Sequence, residues 1–444
     1  MKSVIKLLVF VMILSISLSV SAGAKEDYEY AQKMRLAAAA CLGSYSNPNG
    51  QLITELATLE GWKIEKFEKV EDHADVQYML LNNEQFAAGR HMYLLAVAGT
   101  ETNQDLKVDL RVKKVYFDGV TPEEFAANAA RQDVPPNAPR VHEGFNQVTQ
   151  ILLSVEVAQA QGEDAGQKKL LTRLLLENPD AKVFLTGHSL GGAAVTLLAA
   201  RMVEMGVRPE QIEVVTFGAP TAGNEAFVKK YTDKFALTPI VVEGDPIPVA
   251  LRRVYGGYRE LGQKVVWNVP AALMVYSRHD MTVYLDLAIK KYLTALRQAE
   301  FAGVLPIAEP IQGQPRLYVA PILDSLPNEL QGEWAFMRNV LLERYEHISP
   351  GFVLDPGAAL DNTTRGKALA AGCELMVVPE IKATKYQNDF YTVTLQQKVY
   401  RVKDGELVSE GTYSSNTLEL TPMEAMIFQA RAMDKESGAW LNPK

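Results

Sequence analysis

The chain has 444 residues, of which 48% are hydrophobic and 22% charged, so it is long enough for two domains or one large domain with ample core. Its formal net charge of −8 argues against a nucleic acid or a general anionic surface as a partner. The six histidines are scattered and the two cysteines lie far apart, so the sequence shows no cluster of metal ligands.

The amino terminus has the pattern of an export signal. Lys2 and Lys6 precede an apolar run over residues 7–20, and Ala22-Gly23-Ala24 supplies a small-residue cleavage site. We therefore predict a signal peptide over residues 1–24 and a periplasmic or extracellular protein. An uncleaved membrane anchor is the alternative, although the run is short for a full span. Export leaves two states open for Cys41 and Cys373, a disulfide or two buried thiols.

Strand and helix patterns alternate between residues 25 and 302. Near-continuous apolar runs or period-two alternation predict strands at residues 74–81, 92–98, 106–112, 212–217 and 239–243. Helical patterns occupy residues 25–42, 121–124 onward, 146–160, 167–176, 193–205 and 279–302. This alternation predicts an α/β fold with a mostly parallel central sheet covered by helices.

Composition changes after this region. Residues 303–315 are rich in Pro, Gly and Gln, which is typical of a linker. Beyond them, residues 316–444 show the pattern of a strand, a helix and three strands. We therefore predict a domain over residues 25–302, a linker over 303–315 and a small α+β accessory domain over 316–444.

The segment Gly187-His188-Ser189-Leu190-Gly191-Gly192 lies between a short apolar run and a helix-favouring run of small residues. This context is typical of a nucleophile elbow, in which the serine occupies a strained turn between a strand and a helix. Glycines on either side of the serine let strand and helix approach without intervening side chains. We therefore predict that Ser189 is a nucleophile.

A serine hydroxyl needs an imidazole to accept its proton and a carboxylate to orient that imidazole. Folds with this elbow place the acid and then the histidine after the serine in the chain. Only His279 and His347 follow Ser189, and His347 lies in the predicted accessory domain. We therefore assign His279 as the base.

The orienting acid is chosen from the carboxylates between Ser189 and His279. Asp245 follows an apolar strand and precedes a proline, whereas Asp233 lies in a lysine-rich helix end. We assign Asp245, with Glu243 and Asp280, which directly follows the histidine, as weaker alternatives.

The oxyanion of a tetrahedral intermediate needs two backbone N–H donors. We expect one from Leu190, the residue after the nucleophile. We expect the second from Thr100, in the polar loop that follows the strand at 92–98; its hydroxyl is a further donor.

Together these segments resemble the fungal-type lipase family (lipase class 3). The matching motifs occur in order over about 190 residues: Val97-Ala98-Gly99-Thr100, Val141-His142-Glu143-Gly144-Phe145, the segment around Ser189, Thr216-Phe217-Gly218-Ala219-Pro220, Asp245-Pro246-Ile247-Pro248, and His279 with Tyr284. The resemblance implies an α/β-hydrolase fold and hydrolysis of acylglycerol esters through an acyl-serine intermediate, with no metal or cofactor. It also implies structural roles for His142 and Asp109.

Two departures from this family pattern matter. Ala98 stands where the family commonly has an arginine. The expected lid, near residues 121–140, is mostly polar, with Phe125 and Val134 as its main large apolar side chains. A lid that opens onto lipid should carry a broader apolar face, so we predict weak interfacial activation.

We therefore predict an exported serine carboxylic-ester hydrolase, with a lipid or other ester as its substrate and transient contact with a lipid surface. Two alternatives stay open: phospholipase A1 activity, or a non-catalytic envelope binding or assembly module built on a hydrolase scaffold. The accessory domain is faintly similar to small bacterial envelope-assembly domains, which leaves an envelope protein partner open as well.

Overall fold

The computed structural model describes residues 2–45, 53, 57, 61–71, 74–85, 90–99, 113–158, 167–306 and 308–441. The chain forms two compact units. The larger unit comprises Lys33–Val269 and Ser277–Leu285, and the smaller unit comprises Met1–Gln32, Pro270–Tyr276 and Asp286–Lys444. The domain boundaries predicted from composition, and the signal peptide, stay predictions.

The larger unit is built on a mixed sheet. Its described strands are β1 (Lys63–Glu71), β2 (Ala74–Gln85), β3 (Arg90–Val97), β4 (Lys114–Tyr116), β5 (Arg140–His142), β6 (Glu156–Ala158), β7 (Lys168–Leu170), β8 (Lys182–His188), β9 (Ile212–Phe217), β10 (Ala236–Val242) and β11 (Val265–Trp267). The main sheet has the order β1-β2-β3-β8-β9-β10-β11. Strands β3 and β8 to β11 run parallel, whereas β1 and β2 pair antiparallel at one edge. The predicted mostly parallel sheet is therefore confirmed.

Strand β8 lies at the centre of this sheet. Every residue from Val183 to His188 is buried, and Leu185 pairs with Leu95 on one side and Val214 on the other. A strand covered on both faces needs apolar residues at consecutive positions, which explains the apolar run before the elbow. The carboxyl ends of β3, β8, β9 and β10 consequently meet at one edge, where the candidate site lies.

The helices are α1 (Lys2–Ser44), α2 (Pro122–Ala130), α3 (Glu143–Leu152), α4 (Leu171–Glu177), α5 (Leu190–Glu204), α6 (Glu225–Tyr231), α7 (Ile247–Tyr255), α8 (Met281–Phe301), α9 (Trp334–Ile348), α10 (Thr364–Ala370) and α11 (Pro422–Leu441). Short 3₁₀ helices occupy Pro209–Gln211, Ala271–Leu273 and Asn328–Glu333. Among the described residues, no helix is both long and apolar enough to span a membrane.

Two predicted helices are wrong in part. The helix expected over residues 146–160 ends at Leu152, and the one expected from residue 167 begins only at Leu171. Strands β6 and β7 pair between them and bury Val157 completely. Antiparallel pairing thus overrides the local helical pattern. The strand predicted at residues 106–112 lies outside the described residues.

The smaller unit contains a second sheet. Its strands are β12 (Leu317–Val319), β13 (Leu323–Ser325), β14 (Val353–Leu354), β15 (Leu375–Gln387), β16 (Phe390–Arg401) and β17 (Leu407–Asn416). The order is β14-β12-β15-β16-β17, with β13 also pairing with β15. Helix α11 contacts β16 and β17, and sequence analysis missed this helix. Cys41 and Cys373 are both free and buried.

Candidate active site

Ser189 occupies the sharp turn between β8 and α5. Its backbone angles are φ 54° and ψ −126°, a region that non-glycine residues rarely adopt. The turn is packed tightly from both sides: a Cβ on Gly191 would lie 2.3 Å from the Val97 carbonyl oxygen, and one on Gly187 would lie 2.5 Å from Gly191. Glycine at these positions is therefore required for helix α5 to begin against the sheet.

The three side chains predicted to cooperate lie within hydrogen-bonding distance of one another. Ser189 Oγ is 2.8 Å from His279 Nε2, and His279 Nδ1 is 2.9 and 3.1 Å from the two carboxylate oxygens of Asp245. Because an ionised carboxylate only accepts hydrogen bonds, Nδ1 carries the proton and Nε2 is free to accept one from the serine. The arrangement has the geometry of a nucleophile, a base and an orienting acid.

Asp245 is held in place by further donors. Its side chain is completely buried; the Tyr284 hydroxyl donates to Oδ2 at 2.6 Å and the Ile247 N–H donates to Oδ1 at 2.9 Å. Burial and the nearby carboxylate raise the pKa of Tyr284 well above its usual value, so this hydroxyl stays a donor. A Cβ on Gly218 would lie 2.8 Å from the same carboxylate, so this position requires glycine. Sequence analysis did not assign Tyr284 a role.

Of the two residues predicted to donate to the oxyanion, Leu190 is among the residues that the structure describes. Leu190 is the first residue of α5, where backbone N–H groups have no partner within the helix. Thr100 lies outside the described residues. Its neighbour Gly99 lies against the nucleophile, since a Cβ there would be 2.8 Å from Ser189 Cβ.

The predicted lid segment begins with α2. Thr121 caps this helix by accepting a hydrogen bond from Glu124 N–H, as its sequence predicts. Phe125 is completely buried, and the guanidinium of Arg201 lies 3.9 Å from its ring. Phe125, the largest apolar side chain of the predicted lid segment, is therefore packed inside the larger unit and not exposed at its surface.

His142 is buried. Its ring stacks on Phe145 at 4.2 Å, and burial lowers its pKa to about 4. Asp109, predicted to share its structural role, lies outside the described residues. Within the described ranges, no group of three His, Cys, Asp or Glu side chains could hold a metal ion.

Part of the chain matches a known protein family. Residues 94–254 match the family model of lipase (class 3). Over these residues the chain is similar to the class 3 lipases. The second half of strand β3, the elbow and Asp245 fall inside the match, whereas His279 follows it. With its parallel strands and its strand–serine–helix turn, the larger unit has an α/β-hydrolase fold.

Several curated proteins are similar to parts of this chain. A lipase of Caenorhabditis elegans, ZK262.3, is 46% identical over 71 residues, which is 15% of this chain and 19% of that protein. Secreted mono- and diacylglycerol lipase 1 of Fusarium solani is 37% identical over 83 residues, 18% of this chain and 24% of that protein. Phospholipase A1 EG1 of Oryza sativa is 28% identical over 266 residues, 52% of this chain and 60% of that protein. The chain thus spans less than two thirds of each of these relatives.

Part of the chain is also similar in structure to solved lipases. Lip2 lipase from Yarrowia lipolytica has 22% sequence identity and a TM-score of 0.40, covering 55% of this chain and 80% of that one. M37 lipase has 15% identity and a TM-score of 0.40, covering 60% of this chain and 92% of that one.

Proposed function

We propose that this protein is a serine carboxylic-ester hydrolase, a lipase or esterase that cleaves acylglycerols through an acyl-serine intermediate. The observation that carries the proposal is the convergence of Ser189, His279 and Asp245, at 2.8 and 2.9 Å, on a strained turn at the carboxyl edge of a parallel sheet. The match of residues 94–254 to lipase (class 3) supports the same reaction type.

In this mechanism the Ser189 hydroxyl attacks the ester carbonyl carbon while its proton passes to His279 Nε2. Asp245 stabilises the resulting imidazolium and keeps its ring in position. The imidazolium then protonates the leaving alkoxide, and the C–O bond to the alcohol breaks. Water attacks the acyl-serine by the same route and releases the fatty acid.

Negative charge that develops on the carbonyl oxygen needs donors already in position. We propose the Leu190 N–H, at the amino-terminal end of α5, as one of these donors. The positive end of the helix dipole adds to the stabilisation. We propose Thr100 as the second donor, with its backbone N–H and hydroxyl.

A second candidate activity is hydrolysis of the sn-1 acyl ester of phospholipids. The match to a rice phospholipase A1 covers 52% of this chain, more than the matches to the worm and Fusarium lipases described above. A non-catalytic envelope module is a weaker candidate, because the hydrogen-bonded serine, histidine and aspartate are all retained.

We propose that the protein is exported and acts at a lipid surface outside the cytoplasm. The lysines, apolar run and small-residue site of its first 24 residues support export. Similarity to a secreted mono- and diacylglycerol lipase supports the same location.

The test is a substrate panel on the purified protein with a Ser189→Ala variant as control. Tributyrin, long-chain mono-, di- and triacylglycerols and phosphatidylcholine are compared by fatty-acid release. The proposal predicts release from acylglycerols by the wild type and none by the variant. Release from phosphatidylcholine alone favours the phospholipase candidate, and equal release by both proteins contradicts a serine mechanism.

A further inference from the structure

The end of helix α1 carries a side chain that reaches the candidate site. Tyr45 follows α1 directly, and the helix end is fixed to strand β8 through Cys41, whose thiol lies 3.3 Å from the Thr186 hydroxyl. Lys66 donates a hydrogen bond to the Tyr45 carbonyl oxygen. Tyr45 is therefore held by contacts with two elements of the sheet.

The Tyr45 hydroxyl forms hydrogen bonds to two parts of the site. It accepts one from the Gly99 N–H at 2.8 Å, and it lies 2.6 Å from His188 Nδ1. On the other side of the same ring, His188 Nε2 lies 2.8 Å from the backbone carbonyl oxygen of His279. One unbroken series of hydrogen bonds thus connects the loop after β3, the elbow and the segment that carries the base.

The direction of these bonds follows from the carbonyl group. A carbonyl oxygen only accepts, so His188 Nε2 must carry a proton and donate to His279. In the neutral ring, Nδ1 is then an acceptor, and it receives the Tyr45 O–H. Burial, with the nearby His279, lowers the pKa of His188 well below its usual value, so the ring is neutral.

This series has consequences for both reacting groups. The Gly99 N–H donates to the Tyr45 hydroxyl, which orients the Ala98–Gly99 peptide group while Gly99 lies against Ser189. The bond to the His279 carbonyl restrains the backbone of the base itself. Because catalytic rates depend steeply on such geometry, residues that restrain it affect the transition state more than substrate binding.

We propose that Tyr45 and His188 are positioning residues. They fix the positions of the loop before Thr100 and of the His279 backbone relative to the Ser189 nucleophile. The proposal rests on the proposed hydrolase activity. We assign His188 no part in proton transfer, because its ring nitrogens bond the Tyr45 hydroxyl and the His279 carbonyl and not the Ser189 hydroxyl.

The test compares Tyr45→Phe, His188→Gln and the double variant with the wild type. Tyr413→Phe is the matched control, because its hydroxyl makes a 2.6 Å hydrogen bond to Glu436 in the smaller unit. A soluble short-chain ester gives kcat and KM, an alkyl boronic acid reports binding of a tetrahedral serine adduct, and a fluorophosphonate counts active sites. Expressing kcat per labelled site removes the effect of partial unfolding.

Tyr45→Phe is expected to lower kcat about tenfold and to weaken boronic acid binding by the same factor, with little change in KM, as for loss of one or two hydrogen bonds used in the transition state. Because both residues act through one series of hydrogen bonds, the kcat of the double variant is expected to equal that of the single variant with the lower kcat. Wild-type kcat in Tyr45→Phe, or independent multiplication of the two effects, would overturn the proposal.

A measurement on the wild type is independent of whether the variants fold. The ¹⁵N shifts of histidine-labelled protein are expected to show His188 as the neutral Nε2–H tautomer over the pH range of activity. The Nδ1–H tautomer or a protonated ring would overturn the proposal. A wild type that neither hydrolyses esters nor binds the boronic acid contradicts the proposed function instead, and leaves this tautomer measurement standing.

Discussion

Asp245 shows how a single carboxylate is tied to one orientation. The Tyr284 hydroxyl and the Ile247 N–H donate to different oxygens, and His279 Nδ1 lies within 3.1 Å of both. The Tyr284 oxygen also accepts from the Val242 N–H at 3.1 Å, which connects the carboxylate to the end of strand β10. We therefore expect Tyr284 to influence the base through Asp245.

Tyr284→Phe is predicted to lower kcat/KM roughly 10- to 100-fold, the loss associated with a hydrogen bond to a charged group. The ring stays and only the hydroxyl is removed, so packing changes little. Steady-state ester hydrolysis checks this, with Tyr413→Phe as a control that removes a hydroxyl in the smaller unit. Activity within twofold of wild type in Tyr284→Phe would show that the Tyr284 hydroxyl does not matter for orientation of Asp245.

Motif order and residue chemistry were sufficient to select three side chains that lie within hydrogen-bonding distance in the structure, Ser189, Asp245 and His279, because the order serine, acid, histidine left few candidates. They were not sufficient for the supporting residues. Tyr284 lies in helix α8 and Tyr45 directly follows helix α1, and nothing in their local sequence marks a hydroxyl that bonds a residue 39 or 143 positions away. Such partners depend on tertiary packing.

The position of the elbow depends on helix α5 beginning in contact with the end of strand β3. A Cβ on Gly191 would lie 2.3 and 2.4 Å from the carbonyl oxygens of Val97 and Ala98, distances at which backbone must move. Since Ser189 lies two residues earlier, a displacement of α5 also moves the nucleophile.

Gly191→Ala is therefore predicted to abolish activity and lower the melting temperature. Gly366→Ala is the matched control, because Gly366 lies in helix α10 with no atom within 4 Å of an added Cβ. In that position alanine should stabilise by about 0.5–1 kcal/mol. Circular dichroism melts and ester hydrolysis check both; an active, stable Gly191→Ala variant would refute the close approach.

At this scale the central elements could be predicted and the peripheral ones could not. Strand β9 matches its prediction at both ends, because a buried parallel strand requires a continuous apolar run. Strands β6 and β7 were missed, since each has three residues and is stabilised by its partner. Three residues are too few to establish a period.

At the scale of the whole molecule, the smaller unit contains buried charges unrelated to the site. Lys290 Nζ lies 2.7 Å from Asp286 and 2.6 Å from Glu333. Glu424, 2% exposed, caps helix α11 by accepting from the Thr421 N–H at 2.8 Å. Burial, opposed by the Thr421 N–H and reinforced by Asp286, raises the pKa of Glu424 to about 8.

This shift predicts a pH-dependent stability. A carboxyl whose pKa is higher in the folded than in the unfolded chain stabilises the fold fully below about 4.5, and the contribution is lost as the pH rises to about 8. Glu424→Gln keeps an acceptor for Thr421 but cannot ionise. The free energy of unfolding of the wild type relative to Glu424→Gln should fall by a few kcal/mol across this window. Denaturant unfolding at pH 5 and pH 9 measures this difference. An equal difference between wild type and Glu424→Gln at both pH values would contradict the prediction.

The whole account depends on Ser189 being a nucleophile activated by His279. The most direct measurement is labelling of the purified protein with a fluorophosphonate, followed by peptide mapping by mass spectrometry. We predict one adduct per chain, on Ser189, formed at a rate that falls sharply in His279→Ala while that variant stays folded. Absence of an adduct in folded wild type, or an adduct on a different residue, would contradict the account.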